Sequence, residues 1–382
     1  MTFAPHLRPP LRFVLALSVS FLSAAAGAEP PPQVLAAARL EAAWRASKAP
    51  GMSLAVAQDS RIVMSESRGV ANLNFLVPAG SDTVYNLGSI SKVNTAVAVM
   101  QLIEQGKVGL DDPIQKYVPT FPEKPGGPIT VRQLLTHTSG IRHYLPTDFP
   151  DSEANENRRP YKTLADAITL FRDDPLLFPP GTLFRYTSYG VNLLQGVIET
   201  ASGLSFEDYM RRNVWQPAGM LQTAVDVPGR VVPHRAQGYL TDGGPLREHP
   251  FGDLTYKFPS GGVISTAEDQ ARLCVALNAG RLLRTETRDR MWASQLPLPI
   301  RSYQENAPPY EETFEQGFLW RATKDAAGRR FVYHCGSVQG FQDCLVNFPS
   351  ENLVVVLLAN GDEAPGWAEP LAIAELFLPA KP

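Results

Sequence analysis

A serine and a lysine three residues apart, Ser89 and Lys92, open an apolar segment that reads NLGSISKVNTAVAVMQLIEQGK. A serine hydroxyl is a weak nucleophile until a base within hydrogen-bond reach takes its proton. Residues i and i+3 share one face of a helix, so Lys92 stands where that base is needed. Val93, Ala96, Val97 and Met100 make the helix largely apolar. A lysine packed beside them is partly desolvated, which lowers its pKa and lets it accept a proton. Free N–H groups at the helix start favour negative charge developing nearby. The pair also reads as a cap and a snorkelling surface lysine. Roughly one S-x-x-K match is expected by chance in a chain of this length, so the spacing needs company.

Two further clusters offer it. In FPPGTLFRYTSYGVNLLQGVIE, Tyr186 and Ser188 sit in a loop that Pro179, Pro180 and Gly181 stiffen, just before an apolar helix. Ser188 also reads as the cap of that helix and Tyr186 as an interface aromatic. In YHCGSVQG, His334 and Gly336 fall at the end of a strand, where a glycine lets another backbone approach closely. A hairpin turn with an incidental histidine explains the same letters.

Elements that could position these groups follow from periodicity. MSLAVAQDSRIVMSESRGVAN reads as two strands joined at Gln58-Asp59-Ser60. FEQGFLWRAT, RRFVYHC, FQDCLVNF and LVVVLLAN read as four more, separated by turn residues. Between these ends, residues 89–105, 130–136, 163–172, 189–201 and 205–212 carry helix-period patterns. A helix is also expected at each end of the mature chain, the last one holding Pro370 in its first turn. The expected fold is α/β of the α+β kind: one antiparallel sheet built from both chain ends, flanking helices, and a helical insert lobe. The sheet lobe takes about 33–88 and 230–380, and the helical lobe about 89–229, within a single domain over 29–382. A cleft between two such lobes is a normal small-molecule site.

The chain has 382 residues, 44% of them hydrophobic and 19% charged, a globular composition. A net charge of −3 argues against a nucleic-acid-binding surface. Residues 1–28 carry His6, Arg8 and Arg12, then an apolar run and the small residues Ala26-Gly27-Ala28. This reads as a signal peptide cut after Ala28, giving a secreted or periplasmic protein with no transmembrane anchor after cleavage. Three cysteines leave at least one thiol unpaired within the chain. Cys335 and Cys344 either meet across a hairpin or stay apart, since register decides it.

The three clusters, in this order, resemble the serine β-lactamase-like and penicillin-recognising hydrolases, with S-x-x-K, then Y-x-N or a variant, then K-T-G or H-x-G. GKVGLDDPIQKYVP, ITVRQLLTHTSGIRHY and SGGVISTAEDQARL resemble family segments as well. The resemblance implies a β-lactamase/transpeptidase-like fold. It implies Ser89 as the acylated nucleophile, Lys92 as its base and Tyr186 as a second proton-transfer group. His334 matches the cation beside a substrate carboxylate, Gly336 the close-approach glycine, and the Ser337 N–H an oxyanion donor beside that of Ser89. Ser188 stands where Asn is usual and His334 where Lys is usual, so efficient β-lactam hydrolysis is not expected. The expected substrate is a small amide or ester, such as a D-amino-acid peptide, with no metal or cofactor. A non-catalytic module docking peptidoglycan or a protein is the alternative. The G-x-S-x-G of Gly51–Ala55 falls in an expected strand, which sets an α/β-hydrolase site aside. His137 is expected to hold a loop, and Arg142, His143 and Tyr144 to line the cleft or a surface loop.

Overall fold

The run LVVVLLA, Leu353–Ala359, has no polar residue to turn towards water, and all seven residues are buried. Such a strand belongs inside a sheet covered on both faces, and it lies there in the computed structural model. The structure describes residues 30–149, 157–241, 244–250, 252–303 and 314–379. The expected signal peptide lies outside these residues, and Pro32–Pro382 form one compact unit.

Strands in chain order are β1 (Gly51–Gln58), β2 (Arg61–Asn72), β3 (Val77–Pro78), β4 (Tyr85–Asn86), β5 (Ala224–Val225), β6 (Tyr239–Leu240), β7 (Arg247–Glu248), β8 (Val263–Ser265), β9 (Glu315–Gln316), β10 (Arg321–Lys324), β11 (Arg330–Val338), β12 (Phe341–Phe348) and β13 (Leu353–Ala359). The main sheet is antiparallel with order β3-β2-β1-β13-β12-β11-β10-β9. Both chain ends meet at its centre, where β1 pairs β13 from Met52↔Ala359 to Gln58↔Leu353. One face carries Met52, Leu54, Val355 and Leu357 against helices Pro32–Ala46 and Ala368–Phe377. The other carries Ala55, Val354, Val356 and Leu358 into the core shared with helix Ala267–Asn278 and the helical region. Each large side chain buried this way contributes about 1.5–3 kcal/mol, so sliding β13 by one residue would exchange its two sets of partners.

FEQGFLWRAT breaks into β9 and β10 instead of forming one strand. The Phe318 N–H bonds to the Met291 carbonyl and the Leu319 N–H to the Leu135 carbonyl, so helical elements take the donors a strand would use. The structure also has helix Thr285–Trp292 and the small sheet β4-β8-β5, neither of which was read from the sequence. Thr266 caps helix Ala267–Asn278 by accepting the Asp269 N–H. Pro370 is the third residue of the last helix, inside its first turn.

Candidate active site

Ser89 does not start an α-helix. It occupies a 3-10 turn, Gly88–Ile90, that feeds helix Ser91–Glu104. Residues 91–102 of this helix are all buried, so it runs through the core with no solvent face. Its polar residues are tied to their surroundings. Asn94 donates to Gln270 and accepts from Trp215, each at 3.1 Å, while Thr95 donates to the Pro259 carbonyl at 2.8 Å. The element that carries Ser89 and Lys92 is therefore a fixed post.

Lys92 is fully buried, and its Nζ has three oxygen neighbours. These are Ser89 Oγ at 3.0 Å, Ser188 Oγ at 3.0 Å and the Ser260 carbonyl at 2.7 Å. Burial pulls its pKa down to about 7, with Lys257 and Arg321 pushing the same way. In the ammonium form three N–H groups serve three acceptors. In the neutral form two N–H groups serve Ser188 Oγ and the Ser260 carbonyl, and the lone pair is left facing the Ser89 hydroxyl. The site accommodates both forms, and the neutral one is a base aimed at Ser89.

The Tyr186 hydroxyl donates to Ser89 Oγ at 2.7 Å. Desolvation raises its pKa above the usual phenol value, so it stays a proton donor at neutral pH. Two histidines hold its loop. His137 Nδ1 accepts the Thr187 N–H at 3.3 Å, and His143 Nδ1 accepts the Ser188 N–H at 3.2 Å. An accepting Nδ1 requires the neutral ring with its proton on Nε2. Burial holds His137 well below the usual histidine range and lowers His143 to about 3. Thr187, not Ser188, caps helix Ser188–Asn192 by accepting the Gly190 N–H. This frees the Ser188 hydroxyl to accept from Lys92.

The third cluster approaches from the sheet. β11 turns into β12 through Gln339 and Gly340, both with positive φ, and the register runs Val338↔Phe341, Ser337↔Gln342, Gly336↔Asp343. In a two-residue hairpin of this kind the pair next to the turn exchanges hydrogen bonds and the following pair does not. The Ser337 N–H therefore points away from β12, and β10 pairs β11 only as far as Tyr333. A Cβ on Gly336 would lie 2.0 Å from the Leu87 carbonyl oxygen and 3.0 Å from the Ser89 nitrogen. One on Gly88 would lie 2.8 Å from the Ser337 nitrogen. The absence of side chains lets strand and turn touch, which sets the backbone nitrogens of Ser89 and Ser337 on facing segments, the arrangement that a two-donor oxyanion pocket needs.

A cleft of about 320 Å³ opens here, lined by Ser89, His143, Tyr144, Ser188, Lys257, Ser337 and neighbours that include Ser260 and Gly261. His334 does not line it. Its ring is 2% exposed, and Nδ1 donates to the Cys335 carbonyl at 2.7 Å. Burial, with the charges of Arg321 and Lys92, holds it well below the usual histidine range. The expectation of a cation at this position is corrected accordingly: burial disfavours the charged form of His334. Arg142 also turns away from the cleft into ion pairs with Asp148 at 2.8 Å and Asp174 at 2.7 Å. Cys335 and Cys344 face each other in register and form a disulfide, leaving Cys274 as a buried free thiol. Sequence reasoning missed Lys257 and the Ser260 carbonyl. The Gly261-Gly262 pair that follows Ser260 is the local sequence signal of a close backbone approach there.

A fold with this sheet and a Ser-Lys-Tyr cluster beside two backbone donors defines a serine hydrolase of the acyl-transfer kind. The Beta-lactamase family model matches residues 36–376, and the chain belongs to that family. It is 28% identical to the human mitochondrial serine beta-lactamase-like protein LACTB, over 79% of this chain and 69% of that protein. It is 25% identical to penicillin-binding protein 4* of Bacillus subtilis, over 80% of this chain and 67% of that one. Among solved structures it is similar to the octameric penicillin-binding protein homologue from Pyrococcus abyssi. The TM-score is 0.73 at 27% identity, covering 90% of this chain and 75% of that one.

Proposed function

We propose that the protein is an exported hydrolase that cleaves small amides or esters through an acyl-enzyme on Ser89, with D-amino-acid peptides or esters as the natural class and β-lactams as poor substrates. The observation that carries this reading is the position of Ser89 Oγ, 3.0 Å from Lys92 Nζ and 2.7 Å from the Tyr186 hydroxyl. Neutral Lys92 takes the Ser89 proton as Oγ bonds to the carbonyl carbon. The oxygen, now negative, is held by the N–H groups of Ser89 and Ser337. When the tetrahedral adduct collapses, the bond to the leaving group breaks and Tyr186 supplies the proton that group needs. Lys92 returns a proton to Tyr186, and water then attacks the ester with the same groups acting in reverse.

Export is supported by the character of residues 1–28 and by the Cys335–Cys344 bridge, which suits an oxidising compartment. The test of the chemistry is covalent labelling by a fluorophosphonate or penicillin probe, mapped by mass spectrometry, beside hydrolysis of a p-nitrophenyl ester panel. Label on Ser89, and loss of both label and turnover in Ser89→Ala, are the expected results. Turnover that survives in a folded Ser89→Ala protein would remove the proposal and leave the docking-module reading to be tested.

A further inference from the structure

The cleft contains a cation for which the catalytic scheme has no use. Lys257 lines the same space as Ser89 and is 8% exposed. Its stem lies over Gly261, where an added Cβ would stand 3.5 Å from both Cδ and Cε. Its Nζ lies 5.1 Å from the ring centroid of Tyr144 and 5.3 Å from that of Tyr256. Aromatic faces attract a cation without neutralising it. Among the described residues no aspartate or glutamate lines the cleft, and none is ion-paired to Lys257. Asp148, whose charge reaches His143, is already paired with Arg142. The other ionisable groups around the cleft are Tyr144 in its lining, Lys92 and Arg321, of the same sign as Lys257, with Arg321 5.6 Å from the Tyr186 ring centroid, and His143 and Tyr186, both neutral. An ammonium largely withdrawn from water and given no anion is costly to keep, and a bound anion would offset that cost.

We propose that Lys257 reads a carboxylate on the substrate and so makes this cleft selective for anionic esters or amides. The role falls to Lys257 because His334 is buried, which disfavours its charged form, and lies outside the cleft wall. This rests on the hydrolase reading above and adds a substrate class to it. A planar carboxylate entering beside Tyr144 meets the ammonium at the cleft wall and gains a charge-assisted hydrogen bond. The resulting selectivity lies in the difference between acidic and neutral substrates that are otherwise matched.

The experiment compares p-nitrophenyl butyrate with p-nitrophenyl hemiglutarate, and phenyl acetate with 4-acetoxybenzoate, so that the charge sits on the acyl side in one pair and the leaving side in the other. The wild-type protein should favour the acidic member of at least one pair. Lys257→Met keeps the stem over Gly261 and deletes the charge. It should lower the acidic-to-neutral ratio of kcat/KM by about tenfold or more, while Lys257→Arg retains most of it. Free glutarate should also compete with the neutral ester on wild type far better than glutaramide does, a measurement that needs no variant. Equal effects of Lys257→Met on both members of each pair, or equal inhibition by glutarate and glutaramide, overturn the proposal. Failure of the hydrolase reading looks different: no ester of either charge would show Ser89-dependent turnover.

Discussion

His137 Nδ1 accepts the Thr187 N–H at 3.3 Å while its ring packs, tilted by 35°, against Tyr186 with centroids 4.6 Å apart. The histidine of LTHTSGI thus holds the backbone at Thr187, next to Tyr186, and lies against the ring of Tyr186, whose hydroxyl donates to Ser89. It is a positioning residue, held neutral by burial and touching no reacting atom. His137→Phe keeps a ring to pack there and deletes the acceptor, leaving a buried N–H unpaired at about 1–3 kcal/mol. The expected result is a fall in kcat of about 10–100-fold with a smaller change in KM, because a misplaced proton donor is felt mainly in the transition state. A kcat within twofold of wild type would show that Tyr186 holds its place without it.

The pH profile should report Lys92. Only the neutral amine has a lone pair for the Ser89 proton, so kcat/KM for a neutral ester should rise with pH along a limb centred near about 7. His137, His143 and His334 are all held below the usual histidine range and should contribute nothing between pH 6 and 8. A limb centred near the ordinary lysine value would mean that Lys92 is solvated in solution.

Legibility in the sequence followed the reach of each interaction. The sheet could be read because its strands are rich in β-branched and aromatic residues and bounded by turn residues, and β13 is apolar throughout because both its faces are covered. Ser89, Lys92 and Tyr186 could be read because their types and order carry the chemistry. What could not be read depended on long-range packing. Whether His334 is a cation depends on its burial and on Arg321 lying near it, 13 residues earlier on another strand. The Ser188 hydroxyl is released because Thr187 takes the capping role, a choice between neighbours with similar preferences. Lys257 is far from Ser89 in sequence, and only the folded chain puts it in the same cleft.

Lys92 should cost stability in return for activity. Its pKa is lower in the folded protein than in the unfolded chain, so the burial penalty is present in full below about pH 7. Above that, up to the ordinary lysine value, the unfolded chain binds the extra proton and stability climbs with pH. Lys92→Met should abolish turnover, raise stability at pH 6.5 by about 1–2 kcal/mol, and flatten that climb. Denaturant unfolding at pH 6.5 and 9 tests both parts. A destabilised variant with an unchanged slope would show that the three hydrogen bonds outweigh desolvation.

Gly336→Ala should separate the two oxyanion donors. Its Cβ would meet the Leu87 carbonyl at 2.0 Å, a backbone atom that cannot swing away, so strand and turn must part. Loss of one such donor costs about 10²–10³ in kcat. Gly366→Ala, with nothing within 4 Å, is the control. A folded Gly336→Ala protein with near-normal kcat would mean that the Ser337 N–H does not hold the oxyanion.

The last prediction concerns His334 and inverts what its place in the motif suggests. A titrating imidazole beside a substrate carboxylate would make acidic substrates lose ground as pH rises through the histidine range. In the structure the ring is buried with its Nδ1 proton on the Cys335 carbonyl, and burial disfavours its charged form. The ratio of kcat/KM for an acidic ester to that for its neutral analogue should therefore be flat from pH 5.5 to 8. Lys92 does not disturb this test. Its titration sets the fraction of active free enzyme, which multiplies both rate constants and cancels in the ratio. His334→Gln keeps a neutral donor, so the flat ratio should persist, whereas a ratio that falls with a midpoint near ~6.5 in wild type and not in His334→Gln would establish a charged His334. A flat ratio that still favours the acidic ester would assign the preference to a cation other than His334, and Lys257 is the one that lines the cleft among the described residues, so the preference should then be lost in Lys257→Met.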